Sequence, residues 1–191
     1  MRRLNIDAVE MLPIRLLISI AIIAAITLIL IMGSQTLRIY LAEHQVEHEC
    51  RQMQSALATM MSSGVGRDLD DKDAPEGTKR VCRFLLPDSL VYLTFGGDPE
   101  KNNDGVLHSN LTEDGSVLCY KVQGGSKHVI WFPGKTYRFR EGMLANNTWV
   151  IHGDGDSYII RHGGTLTLVF ELVEKNHEQY ILIYGIDEIA W

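Results

Sequence analysis

Helix breakers are almost missing from the first third of this 191-residue chain. Residues 1–62 hold one of its 17 glycines, Gly33, and no proline stands between Pro13 and Pro75. That scarcity excludes a loop-rich or strand-rich start and leaves continuous helix as the natural state there. Cysteine is scarce too: Cys50, Cys82 and Cys119 are too few for a disulfide scaffold, and no C-x-x-C pair marks a zinc ribbon or redox site. Positive charge is short, with 18 Lys/Arg against 24 Asp/Glu. The whole net charge of −6 falls in residues 63–191, while residues 1–62 balance five basic against five acidic side chains. An acidic surface without a basic stripe argues against nucleic-acid binding, because phosphate contacts need clustered Lys/Arg.

What is present first is a long apolar run. Leu16 to Met32 reads LLISIAIIAAITLILIM, 17 residues interrupted only by Ser19 and Thr27. As helix this is roughly 25 Å long, and Leu12 to Ile14 extend it towards the ~30 Å hydrocarbon core of a bilayer. Arg15 lies in that extension, where a long cation snorkels to the headgroups. The run exceeds the apolar region of a secretory signal, and Ile31-Met32-Gly33 is a poor cleavage site. An uncleaved membrane span is the expectation. Arg2, Arg3 and Arg15 precede it and Arg38 and Arg51 follow, so positive-inside bias places the amino terminus in the cytoplasm and the remainder outside.

Helical patterning continues beyond the span. Ile39, Ala42, Val46, Cys50, Met53, Leu57 and Met60 recur at spacings of three and four, forming one apolar stripe, with Glu43, Glu47, Glu49 and Arg51 off it. The expectation is one helix of about 45 residues. Its stripe has two uses open to it: packing on the domain that follows, or serving as an assembly stripe against other subunits.

Ser62 to Thr78 is acidic and broken by Gly and Pro, which reads as a linker. Short runs rich in β-branched and aromatic residues follow: Val81–Leu86, Val91–Phe95, Val117–Val122, Val129–Phe132, Thr136–Arg140, Thr148–Ile151, Tyr158–Arg161, Leu166–Val173 and Tyr180–Tyr184. Glu174 to Glu178 reads as a hairpin connection. The fold class is therefore α+β: a long amino-terminal helix, membrane-spanning and then an amphipathic stalk, followed by an all-β, β-sandwich-like domain. The divisions are 1–33 leader and transmembrane helix, 34–62 stalk, 63–78 acidic linker and 79–191 extracytoplasmic β domain.

Outside the cell thiols persist as disulfides, and Cys82 with Cys119 is the candidate pair; pairing through Cys50, or three free thiols, are the alternatives. Asn110-Leu-Thr112 and Asn146-Asn-Thr148 fit the N-glycosylation pattern. His44-Gln-Val-Glu47-His48 matches H-x-x-E-H, which sets two imidazoles on one helical face beside a carboxylate. A catalytic zinc needs a third ligand and a cleft, and the plain reading is solvated helix surface. Glu100 to Gly105 resembles the start of a calcium loop but lacks its closing glutamate, since Leu111 stands there. Asp154-Gly-Asp156 offers two carboxylates or a tight turn. No nucleophile elbow or phosphate-binding glycine loop is present. The expectation is a protein that is not an enzyme, without catalytic residues, metal or cofactor.

An apolar helix continuing as a stalk into a glycine-punctuated β domain resembles the type IV pilin and archaellin superfamily. Arg2 and Arg3 match that family's basic leader and Glu10 its acidic residue near the helix start; Asn5 stands where a bacterial-type leader ends in glycine. The resemblance implies a subunit or minor component of a surface filament or secretion pseudopilus. Its partners would be the membrane and other pilin-like subunits, reached through the amino-terminal helix. The alternative it leaves is a single-pass, non-enzymatic binding domain that contacts envelope proteins, built like the archaellum stator proteins.

Overall fold

The computed structural model describes residues 6–71, 73–102, 106–132, 137–153 and 156–186. It divides into two compact units, Met1–Tyr40 and Leu41–Trp191. One helix, α1 (Ile6–Ser63), has 58 residues and runs unbroken through Pro13 and Gly33. It is longer than the sequence pattern implied because it starts ahead of the apolar run. Helix ends at Gly64, whose N–H donates to Met60 O at 2.7 Å. A side chain at Gly64 would collide with that same carbonyl, so glycine is required there.

The second unit is an α+β domain with ten strands among the described residues: β1 (Arg67–Asp68), β2 (Lys79–Leu86), β3 (Leu90–Phe95), β4 (Val117–Val122), β5 (Lys127–Trp131), β6 (Phe139–Ala145), β7 (Thr148–Ile151), β8 (Tyr158–Ile160), β9 (Gly164–Lys175) and β10 (Glu178–Gly185). They form two sheets. A six-stranded sheet has the order β1-β9-β10-β6-β7, and β2 also pairs with β9. A four-stranded sheet has the order β5-β4-β3-β8. The β1–β9 and β6–β10 pairs are parallel, which makes the larger sheet mixed.

Alternation decides which side chains meet. In β9, Leu168, Phe170 and Leu172 face one way and Val169, Glu171 and Val173 the other. The first set meets β3 of the other sheet, where Phe95 packs edge-on against Phe170 (5.7 Å), Phe139 (5.8 Å) and Phe84 (6.1 Å). Edge-to-face aromatic pairs at such distances contribute about 0.5–1.5 kcal/mol beyond area burial. A fully buried Phe95 thus joins three strands of the larger sheet to the smaller one. On the outer face of the larger sheet, Val169, Val173, Leu182 and Tyr184 form a second apolar cluster, covered by Leu69, Trp149 and Ile151.

Two differences from the sequence expectation have local causes. Residues 63–78 are not all linker, since Arg67–Asp68 adds to β9 opposite Val173 and Glu174. Its anchor is an ion pair: Arg67 Nε donates to Glu171 Oε1 at 2.8 Å, and Arg67 Nη2 donates to Trp149 O at 2.6 Å. Both charged side chains are buried. The strand expected at Thr136–Arg140 lies instead at Phe139–Ala145, with Thr136 outside the described residues. Gly142 lets β6 pass close to β10, where an added Cβ would stand 3.1 Å from Ile183 O. The hairpin Glu174–Glu178 tightens to a two-residue turn, with φ of 52° at Asn176 and 62° at His177, the left-handed geometry suited to twisted strands.

The Arg67–Glu171 pair generates a stability prediction. Replacing Arg67 by Met strands a carboxylate in the interior, and that costs about 3–5 kcal/mol. Replacing both residues by apolar ones of similar volume restores most of the loss. Urea unfolding of the detergent-solubilised chain reads both; equal midpoints for wild type and Arg67→Met would refute the role given to the pair.

Candidate functional site

The feature with the clearest functional content is α1, and its two parts differ in kind. In the first unit every described residue from Ile14 to Arg38 is exposed, including Leu16 at 63% and Ile29 at 67%. This stretch holds a helix long and apolar enough to cross a membrane, near the amino terminus, with none of its most apolar window buried. Its hydroxyl side chains turn inward on their own backbone. Ser19 Oγ donates to Arg15 O at 2.9 Å, Thr27 Oγ1 to Ile23 O at 2.8 Å and Ser34 Oγ to Ile31 O at 2.8 Å. Each hydroxyl is satisfied without water, which is what a hydrocarbon environment demands of a polar group.

The second unit holds residues 41–63 of α1, and here the stripe is sealed. Ala42, Val46, Cys50, Met53, Leu57 and Met60 are all buried, with Val46, Leu57 and Met60 wholly so. Polar contacts flank the stripe on both sides. Gln45 Nε2 donates to Leu85 O of β2 at 2.8 Å. Glu43 Oε1 stands 3.0 Å from His128 Nε2 of β5 and accepts from Ser126 N at 3.2 Å. His128 stacks on Tyr120 of β4. The helix face is therefore docked on its own β domain, the first of the two uses open to the stripe. Ile39 alone of that set falls in the first unit. Burying each large apolar side chain contributes about 1.5–3 kcal/mol, so an intramolecular partner satisfies the stripe outright.

The three thiols are free. The expected Cys82–Cys119 bridge is absent because strand alternation separates them. Cys119 in β4 shares its face with Val117 and clusters with Tyr92 of β3, on the side of the smaller sheet away from Phe95. Cys82 in β2 pairs with Leu168 on the opposite side of the sandwich and lines a shallow pocket with Glu49, Gln52, Met53, Arg83 and Phe84. Burial pushes the Cys50 and Cys119 thiols up to about 12, assisted by Glu49 at Cys50 and by Asp98 at Cys119. Burial also raises Cys82.

Asn110 and Asn146 are both exposed. Asn146 sits at the tip of the β6–β7 hairpin, where Asn146 and Asn147 adopt φ of 51° and 62°. The H-x-x-E-H residues stay on the helix surface, His44 and His48 exposed. Glu47 accepts from Arg51 Nη2 at 2.6 Å, and that hydrogen bond holds its carboxyl below the usual range. A catalytic base needs the opposite shift. His48 Nε2 is 2.7 Å from Gln52 Nε2. Of the calcium-like segment, residues 103–105 lie outside the described residues, and Glu100 is held by Lys121 at 2.8 Å. Asp154 and Gly155 also lie outside them, as do Arg2, Arg3 and Asn5. Comparison with protein-family models, curated proteins and solved structures finds no match.

Sequence reasoning missed Arg67 and Glu171, since one lay in an acidic, glycine-broken stretch and the other on the alternate face of a strand 104 residues away. The only available signal was a lone arginine within that acidic stretch.

Two predictions follow from this geometry. Leu57→Ala destabilises the folded domain by about 2–5 kcal/mol in urea unfolding, as a core truncation does; an unchanged midpoint would return the stripe to an intermolecular role. In native labelling with a maleimide, Cys82 reacts first, and Cys50 and Cys119 react only on unfolding, when all three are modified. Because the folded state keeps the Cys50 and Cys119 protons that the unfolded chain releases near pH 8.5, their contribution to stability is full below that pH. It declines as pH rises towards 12. A urea midpoint higher at pH 10.5 than at pH 8 would contradict this.

Proposed function

We propose that this chain is a pilin-like subunit or minor component of a surface filament or secretion pseudopilus. It is rooted in the membrane and associates with other pilin-like subunits through the amino-terminal part of α1. One observation carries the reading: a single continuous helix is exposed and apolar over residues 16–32, yet docked on a β domain over residues 41–63. An apolar helix of that length, exposed all round among the described residues, is stable only in lipid or in a bundle of like helices. Close approach of such helices is favoured by small residues, and Ala21 and Ala25 lie one turn apart on the same face. Arg2, Arg3 and Arg15 support an amino terminus in the cytoplasm and a β domain outside. The role is structural, and enzymatic chemistry has no part in it.

A second reading is a single-pass anchored binding domain of stator or envelope-binding type, which does not polymerise. What favours it is the sealed stripe, since the face patterned for bundling is already occupied by the β domain.

Mass spectrometry of sheared surface fibres separates the two. The filament reading expects this chain in the fibres, shortened at its amino terminus. Its absence from them, together with an intact Met1 in the membrane fraction, supports the anchored reading and rejects the first.

A further inference from the structure

We propose that Glu141, His152 and Asp156 form a binding site for a divalent cation of the zinc class. The three sit where the β6–β7 hairpin ends and the chain turns towards β8. Their donor atoms lie within 4.8 Å of one another. His152 Nδ1 is 3.6 Å from Glu141 Oε2 and 3.5 Å from Asp156 Oδ2. These separations are too long for hydrogen bonds, which close at about 2.7–3.2 Å for N–H···O. They match the edge of a tetrahedron around a cation. With ligands at about 2.0–2.2 Å, the ligand atoms of a zinc site stand about 3.3–3.6 Å apart.

The second observation concerns the imidazole. His152 Nδ1 is closed off from solvent and makes no hydrogen bond. Set 3.5–3.6 Å from two carboxylate oxygens, within ion-pair range and short of a hydrogen bond to either, this shielded nitrogen of a half-exposed side chain has the placement of a metal ligand. The backbone fixes all three residues. His152 N donates to Glu141 O at 2.8 Å, which makes them directly opposed cross-strand partners beyond the Gly142–Ile151 pair. Glu141 N donates to Asp156 O at 2.9 Å, and Asp156 N donates to His152 O at 3.4 Å. These backbone bonds set the three residues side by side, and their side chains turn towards one another from there.

The donor set selects the cation. An imidazole nitrogen with two carboxylates suits zinc, cobalt or manganese, and disfavours calcium and magnesium, which take oxygen alone. Three protein ligands leave a fourth position for water or another donor. The half-exposed side chains, beside a shallow pocket lined by Gly142, Met143, Leu144 and Trp149, keep that position accessible.

Equilibrium dialysis of the detergent-solubilised full chain against zinc tests the site. One equivalent binds, and a 100-fold excess of magnesium leaves it in place (about the margin that ligand softness provides). His152→Ala and Asp156→Asn each weaken binding at least about tenfold. The double variant His44→Ala, His48→Ala, which removes the other histidine pair, binds as wild type does. Cobalt in place of zinc gives a visible absorption band that His152→Ala abolishes. Unfolding midpoints of the metal-free variants equal to that of the metal-free wild type confirm that the loss is one of ligands. Absence of bound zinc, its retention in both ligand variants, its displacement by magnesium, or its loss in the His44/His48 variant would each overturn the assignment.

Discussion

One helix carries two kinds of surface, and the rest of the structure follows from how it does so. A helix in water buries one face and wets the other; a helix in hydrocarbon has no face to wet. In α1 the change occurs along a single run of backbone hydrogen bonds. Over residues 16–32 apolar side chains surround the helix, and the hydroxyls of Ser19 and Thr27 return to carbonyls four residues back. Past Leu41 the circumference divides, and the buried positions Ala42, Val46, Cys50, Met53, Leu57 and Met60 recur every three or four residues. The absence of glycine and proline from 34 to 63 is the condition for that continuity.

The β domain is arranged so that its helix is one more layer of packing. The two sheets meet through Phe95 and the phenylalanines of β2, β6 and β9. The outer face of the larger sheet would be wet, but Leu69, Trp149 and Ile151 cover it. Trp149 stacks on Tyr184 with ring centroids 4.0 Å apart. Covering that face buries Glu171, and a buried carboxylate needs compensation. Arg67 supplies the charge, Gly77 N–H and Tyr184 Oη donate at 3.4 Å, and burial beside Glu171 raises the Tyr184 hydroxyl so that it remains a donor.

Elements set by local pattern were legible in the sequence. Both parts of α1 and eight strands were readable, β4 and β7 to the residue, because each repeats a period of 3.6 or 2 over enough positions to be counted, whereas β6 was misplaced towards Thr136. What was not legible depends on partners distant in the chain. The two-residue β1 has no period, and only Glu171 gives it a place. Cys82 and Cys119 both read as strand cysteines, but which face each takes depends on the register of two separate sheets. The stripe was visible at every position, yet periodicity reports that a face is apolar without reporting what covers it.

The same limit explains why Glu141, His152 and Asp156 leave no motif. Metal-binding sequences are recognisable when ligands share one helix or one loop, where spacing fixes geometry. Here Glu141 and His152 come together only because the Asn146-Asn147 turn places strand residues in opposed register. Asp156 joins them only because its carbonyl accepts the Glu141 N–H. The hairpin is held at both ends of β7, by the Arg67 bond to Trp149 O and by the backbone ring at His152. Rigidity of that kind is what a three-ligand site requires, since donors misplaced by an ångström lose most of their affinity. By contrast, the H-x-x-E-H pattern carries the right letters on a rigid helix, but Glu47 is spent on Arg51 and the site gathers no third donor among the described residues.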